Sequence, residues 1–544
     1  MHITEVKIRN FKGYETLDLK LNSGMNILVG DNEAKKSTIL EAINLALSGI
    51  IDGKYLSSEN LNDFLFNNKS ILEFTEAISK GQRPDTPPQI IIELHFSEDT
   101  HSDFEGTENI LGIKAKGLYY RIGLRQEYEE AYQKLGADCL GSLPLELYTI
   151  ELKRFSGSEQ ARALLPIKNS LIDTSSNFQN ASDLTISRIL KEKLNEEEKI
   201  KAGQYYRNFK ESYKNHQIHQ ELGQHVDHPN ATVSIDPSSK NSWDSHLSIY
   251  IKEIPFSYIG KGLQTILKTK VSLSSKKTTG ASVVLIEEPE NHLSHGTLNE
   301  LVNLISNQCT GKQIIITSHS SFVANKLDLS NLIFLNDGIP YYFSDLKKET
   351  KDFFKKLPGY DTLRLLLCKS GILVEGDADE LIAQRAFLDN NGTLPINKGI
   401  DIISVNNSYR RFLDIAMPLE KKTSVMLDMD NRYVNLSDLK EELKEYDFLD
   451  AFFEENSRYT GSIPDYNKNT LEPLLLAYNS RELLNTIFNK KYATDDELLV
   501  YMNGNKTKCA LDIFESSTKI TYPKYILDAI AFVSPITKTD SNEQ

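Results

Sequence analysis

The chain has 544 residues, 40% apolar and 25% charged, with 28 Gly, 17 Pro and a net charge of −14. At about 150 residues per domain, three or four domains are expected, and the apolar content excludes wholesale disorder. The acidity excludes a protein that coats nucleic acid by bulk charge, though not an enzyme that cuts it through bound cations.

No apolar run reaches the roughly eighteen residues of a membrane span, and the opening MHITEVKIRNFKGYETLDLK has no apolar signal-peptide core. Cys139, Cys309, Cys368 and Cys509 lie far apart without CxxC spacing, which disfavours a disulfide framework or a cysteine-built zinc site. A cytoplasmic protein without membrane association is expected.

In chain order, ITEVKIRNF alternates as a strand, MNILVG is a short buried strand, and STILEAINLALSG has helical spacing with a glycine stop. Further strands are predicted at Gln89–Phe96, Gly117–Leu124 and Leu147–Leu152. From about Asn177 to Gln224 the text turns charged and helical, as an inserted arm would. Ile186, Ile189, Leu190, Leu194, Ile200, Tyr205 and Phe209 suggest a narrow apolar stripe there, read as helix pairing and dimerisation. His216, His219, His225 and His228 leave a zinc site conceivable, but a polar loop is the preferred reading. Strand-like text returns at His246–Tyr258, followed by a helix at Gly262–Ser272 and the strands SVVLIEEPE and KQIIITSHS. After a connector, a second α/β unit starts at GILVEGDADELIAQRAFL. From residue 361 onward, 30 Asp+Glu face 21 Lys+Arg, so the acidity is concentrated in this second unit.

Gly30-Asp31-Asn32-Glu33-Ala34-Lys35-Lys36-Ser37-Thr38 follows a strand and opens a helix, the setting of a P-loop. Gly30, Asn32, Lys36, Ser37 and Thr38 are the candidate phosphate and Mg²⁺ contacts. Lys35 stands where the pattern asks for glycine, and a side chain there is expected to crowd or open the loop. Glu287 and Glu288 end a buried strand. In an ATPase the first orders Mg²⁺ and the second activates water. His319 ends the next such strand, placed to sense a γ-phosphate. Gly260, Gly262 and Gln264 precede a helix whose amides could meet phosphate from the opposite face.

This set, with IRNFKG near the start, resembles the ABC-type ATPase head of the RecF, SMC and OLD groups. The resemblance implies ATP with Mg²⁺ held between two heads, hence a dimer, and Lys35 is expected to weaken turnover more than binding.

In the second unit a strand ends in Glu375-Gly376-Asp377-Ala378-Asp379, and about fifty residues later another ends in Asp428-Met429-Asp430. Carboxylates at neighbouring strand ends repel unless divalent ions neutralise them, which points to Mg²⁺ or Mn²⁺, with two ions expected. The pair of motifs resembles the Toprim domain of topoisomerases, primases and OLD nucleases. Leu357–Arg364, Ile402–Asn407 and the helix Tyr409–Ala416 narrow the resemblance to the OLD family. It implies Glu375, Asp379, Asp428, Asp430 and Glu472 as metal ligands, and a catalytic lysine in Lys506-Thr507-Lys508, assigned to Lys508. Asp379 departs from family members that carry Glu there.

The resemblance covers nearly the whole chain and implies an α/β protein. Its segments are an ABC ATPase head at 1–165 and 241–345, a helical insert at 166–240, a linker at 346–369 and a Toprim nuclease domain at 370–544. It further implies a DNA endonuclease regulated by nucleotide, of the kind found in Gabija and retron anti-phage systems, homo-oligomeric and acting with a helicase-like or reverse-transcriptase partner. Two alternatives stay open: a nucleotide-switched scaffold or sensor without nuclease activity, and a RecF-like DNA-repair ATPase.

Overall fold

The computed structural model describes residues 1–30, 34–174, 194–214, 243, 250–291, 293–320, 329–356, 361–429, 433–454 and 470–534. The chain divides into two units, Met1–Leu327 with Asn331–Pro340, and Asp328–Ser330 with Tyr341–Gln544.

The first unit contains two six-stranded sheets. One places β1 (Ile3–Phe11) between β2 (Tyr14–Lys20) and β4 (Ile90–Phe96), with β5 (Ala115–Leu124) beyond β4 and β6 (Tyr148–Arg154) on β5. These pairs are antiparallel. The other sheet has the order β7 (Asn169–Asp173), β8 (Val283–Glu287), β9 (Gln313–Ser318), β3 (Met25–Val29), β10 (Leu332–Asn336), β11 (Ile339–Tyr342). Its pairs from β7 to β10 are parallel. Burial on both faces explains why VVLI, QIII and NILV read as continuous apolar runs rather than alternating ones. Register aligns Asp173 with Glu287, Glu287 with Thr317, and Ser318 with Val29, so four strands end together at one edge. The helix α1 (Lys36–Ser48) leaves that edge from β3 and stops at Gly49, whose φ of 73° is the left-handed cap that glycine adopts freely.

Within the charged arm, α2 (Glu196–Lys214) is the described helix, and Ile200, Tyr205 and Phe209 on it are exposed. Ile186, Ile189, Leu190 and the four histidines lie outside the described residues. The strand expected over His246–Tyr258 is reduced, among its described residues, to a two-residue hairpin, Tyr250–Ile251 with Ile254–Pro255. Helix α3 (Lys261–Leu273) follows, and α4 (His295–Gln308) joins β8 to β9.

The second unit holds a four-stranded sheet in the order β13 (Ile400–Ser404), β12 (Ser370–Val374), β14 (Thr423–Met426), β15 (Leu449–Phe452). All of its pairs are parallel. The helices α5 (Asp361–Leu367), α6 (Asp377–Asn391) and α7 (Tyr409–Ala416) alternate with these strands. Later come α8 (Leu471–Tyr478), α9 (Lys506–Glu515) and α10 (Lys524–Val533). One apolar cluster ties Val374 and Met426 to Ile382, Leu474, Ala510 and Ile526, drawing on the sheet and on four of these helices. Each such side chain fully buried contributes about 1.5–3 kcal/mol. Arg364 of α5 closes the other side, with Asp401 at 2.7 Å and Glu380 at 3.1 Å. The expected α/β class holds in both units. All four cysteines are free, and no helix among the described residues is long and apolar enough to cross a membrane.

Candidate functional sites

The first site lies at the shared edge of β7, β8, β9 and β3. Gly30 ends β3 in a tight place, where a Cβ would meet Ala34 Cβ at 2.6 Å and the Leu335 carbonyl oxygen at 2.7 Å. Lys36 is 4% exposed and its Nζ donates to the Gly30 carbonyl at 2.9 Å. Asn32 lies outside the described residues. Lys35 caps α1 with φ 57° and ψ 26°, the left-handed conformation that the pattern's glycine would take without strain. Its bulk is absorbed elsewhere. The side chain lies along Gly13, where a Cβ would come within 2.8 Å of Lys35 Cδ, and its Nζ is 5.6 Å from the Tyr14 ring centroid.

Glu287 meets the Ser37 side chain, the hydroxyl expected to hold Mg²⁺. Burial pushes its carboxyl up, the Ser37 hydrogen bond opposes this, and Asp173, Glu41 and Glu288 push it further up. A hydroxyl among crowded carboxylates is the hard oxygen donor set that suits Mg²⁺. Thr174 holds the turn after β8, donating to the Glu287 and Glu288 carbonyls at 2.6 and 2.7 Å, while Glu288 takes a φ of 40°. His319 stands with Nδ1 3.4 Å from Glu290 Oε1 and 3.7 Å from Glu288 Oε1. That Glu290 oxygen also accepts from Ser318 Oγ at 2.7 Å and from the His319 and Ser320 amides at 2.9 and 3.2 Å. Asp173, Thr174 and Glu290 were missed in sequence. Glu290 was discernible in the EEPE run, whereas Asp173 became visible only through the strand register.

Gly260 caps α3 and is exposed, and Gly262 is half-buried. Gln264 is 3% exposed, and its side-chain amide donates to the Ile259 and Ser257 carbonyls, fixing the preceding turn.

The second site lies at the carboxyl edge of the all-parallel sheet. Glu375 follows β12, Asp428 follows β14, Asp379 sits in the first turn of α6, and Glu472 in the first turn of α8. Asp379 Oδ2 accepts from the Gly376 amide at 3.0 Å, and Asp428 Oδ2 from the Leu471 amide at 3.4 Å. The Asp379 carboxyl is pushed up to about 7 by burial first and by Glu472 next, with Glu375 adding to it. Asp430 lies outside the described residues. Among the described residues, no three His, Cys, Asp or Glu side chains are gathered as a set that could hold a metal ion. The described carboxylates do supply what a divalent cation needs, namely oxygen donors whose mutual repulsion it would relieve.

Of Lys506 and Lys508, Lys506 is the one that reaches these carboxylates. Lys506 Nζ is 3.2 Å from Glu472 Oε2. Burial lowers its proton affinity, but Glu472, Asp428 and Asp379 together outweigh that and hold the ammonium above its usual range. Both lysines are exposed on α9, and Lys506 is the one whose ammonium reaches Glu472. Tyr525, also missed in sequence, is buried beside the same carboxylates.

Three family models match: an AAA domain at residues 5–228, the AAA domain described with the AbiEii toxin of type IV toxin–antitoxin systems at 147–325, and the overcoming lysogenization defect protein-like TOPRIM domain at 366–430. The chain is thus similar to AAA domains over its first part and to an OLD-like TOPRIM domain over 366–430. The OLD-like match carries Glu375, Asp379 and Asp428, so the second site lies within the Toprim domain and continues into the helices after it. The DNA replication and repair protein RecF of Clostridium novyi (strain NT) is 49% identical over 43 residues, 8% of this chain and 12% of that protein. The DNA double-strand break repair Rad50 ATPase of Thermoplasma volcanium is 28% identical over 102 residues, 19% of this chain and 9% of that protein. The chain thus spans about a tenth of the length of the curated relatives it matches. Among solved structures, the SMC head domain from Thermotoga maritima is 13% identical with a TM-score of 0.31, over 62% of this chain and 97% of that one.

Proposed function

We propose that the chain is a metal-dependent DNA endonuclease whose nucleotide-binding head regulates its Toprim site, and that it serves as an anti-phage effector in a homodimer or larger homo-oligomer. The observation that carries this reading is Lys506, 3.2 Å from Glu472 and under the charge of Asp428 and Asp379, at the carboxyl edge of a parallel sheet. Burial and the neighbouring carboxylates push the Asp379 carboxyl up to about 7, a cost that bound cations would relieve. Divalent cations bound there would neutralise the carboxylates and clamp a phosphodiester for in-line attack. Glu375, Asp379, Asp428, Asp430 and Glu472 hold those ions, and Lys506 offsets the negative charge that develops on the phosphate. In the head, Lys36 contacts the β/γ-phosphates, Ser37 and Glu287 hold the Mg²⁺ of ATP, Glu288 orients water and His319 reads the γ-phosphate.

Lys35 makes ATP a slowly turned-over ligand. Wild-type turnover should be low, and Lys35→Gly should raise it; equal rates in the two proteins would remove this part of the reading. For the nuclease, the purified protein is incubated with supercoiled plasmid and Mg²⁺ or Mn²⁺, beside Asp428→Ala and Lys36→Ala. Nicking or linearisation lost in Asp428→Ala is the expected result, with Lys36→Ala altering the rate through the head. Cleavage that survives Asp428→Ala would sink the assignment.

A further inference from the structure

Tyr525 occupies the first turn of α10. The Ser370 hydroxyl, at the start of β12, donates to the carbonyl of Val533, at the end of α10, at 3.3 Å. The helix therefore runs back along the sheet, and its first turn lies at the carboxyl edge, where Glu375 and Asp428 emerge. Tyr525 is 4% exposed, and its ring belongs to the apolar cluster with Met426, Leu474 and Ile526. Its hydroxyl is shut off from solvent and has no hydrogen-bond partner among the described residues.

A buried donor left unpaired costs roughly 1–3 kcal/mol. Core packing alone would be served by phenylalanine without that cost. The hydroxyl is nevertheless surrounded by groups able to accept from it: burial and then Asp428, Asp379, Glu472 and Glu454 keep the phenol protonated, so it remains a donor. A donor held in place among carboxylates that are not yet turned toward it fits a site whose carboxylates reorient when cations enter.

We propose that Tyr525 is a positioning residue of the Toprim site, its hydroxyl donating to a carboxylate oxygen of Asp428 and fixing that ligand once divalent cations draw the cluster together. The inference rests on the nuclease reading given above. Partners of this kind, one bond removed from the ion, change metal affinity by roughly 10–100-fold when lost.

The test uses the full chain without nucleotide, as wild type, Tyr525→Phe and Asp428→Ala. Mn²⁺ binding is followed by calorimetry, melting in EDTA by fluorescence, and plasmid cleavage as a function of Mn²⁺ concentration. Tyr525→Phe should melt at or above the wild-type temperature in EDTA, bind Mn²⁺ about tenfold more weakly, and recover cleavage at saturating Mn²⁺. Wild-type Mn²⁺ affinity in Tyr525→Phe, or melting well below wild type in EDTA, would overturn the proposal. If that variant matches wild type while Asp428→Ala is inactive, the role of Tyr525 alone falls. If Asp428→Ala binds Mn²⁺ and cleaves normally, the nuclease reading falls with it.

Discussion

The Lys506 ammonium lies 3.2 Å from Glu472 Oε2 and is held protonated by three carboxylates, although Lys506 is an exposed position, as is Lys508 two residues along α9. Removing one preorganised charge from such a site costs about 10²–10³-fold in rate. Lys506→Ala should therefore lose plasmid cleavage by that order, while Lys508→Ala stays within a fewfold of wild type; equal losses would return the role to Lys508. The distinction was within reach of the sequence. Cys509, Ala510 and Ile513 are the buried residues of α9, and they stand at i+3, i+4 and i+7 from Lys506, so Lys506, though exposed itself, stands in line with the buried stripe while Lys508 does not. Tyr525 offered no such signal, because an aromatic residue in an apolar helix reads as core, and only the fold reveals what its hydroxyl faces. Lys35 was legible as a departure from the P-loop pattern, but its accommodation depends on Gly13 and Tyr14, more than twenty residues earlier, which no local reading pairs with it.

Among the elements, one carboxylate oxygen gathers much of the turn after β9, which the Ser320 amide also closes onto Ser318 Oγ at 3.0 Å. Glu290 Oε1 gathers the Ser318 hydroxyl and the His319 and Ser320 amides, and the His319 ring stands 3.4 Å away. Glu290→Ala should cost about 2–3 kcal/mol by stranding these donors, and should release His319. Thermal melting reads the first effect and ATP turnover the second; loss of neither would show that the turn is held by other contacts. In the two parallel sheets β3, β8, β9, β12 and β14 were legible because burial on two faces leaves continuous apolar runs, whereas β7, which falls in the stretch assigned to the helical insert at 166–240, and β10, β11 and β15 were not. The strand expected at His246–Tyr258 failed for a definable reason. Lys252 and Glu253 carry φ values of 48° and 66°, a tight turn of the kind usually marked by Asn-Gly or Asp-Gly, and here nothing in the sequence marks it.

At the scale of the whole molecule, the acidity of the second unit becomes a stability profile. The Asp379 carboxyl has a folded value of about 7 against an ordinary 3.8, so across this window the folded chain binds more protons than the unfolded one. Stability contributed by this group is therefore full below about pH 4 and lost as pH rises through about 7. In EDTA the unit Tyr341–Gln544 should melt lower at pH 8 than at pH 5.5, and Mg²⁺ or Mn²⁺ should erase the difference by supplying the positive charge. A melting temperature indifferent to both pH and metal would count against carboxylate crowding as the source of the shift.

The position of β3 has a consequence for how the protein comes into being. Its hydrogen-bonding neighbours, β9 and β10, are synthesised nearly three hundred residues after it, so a nascent chain carries its P-loop sequence long before it has a sheet in which to seat it. Lys506 and Tyr525 arrive later still, when every strand of the first unit has already left the ribosome. Translation thus imposes an order of assembly: the sheet beside Lys36 can close before the acidic cluster receives its lysine and its phenol, and a ribosome stalled before residue 506 leaves a complete first unit and an unfinished acidic cluster.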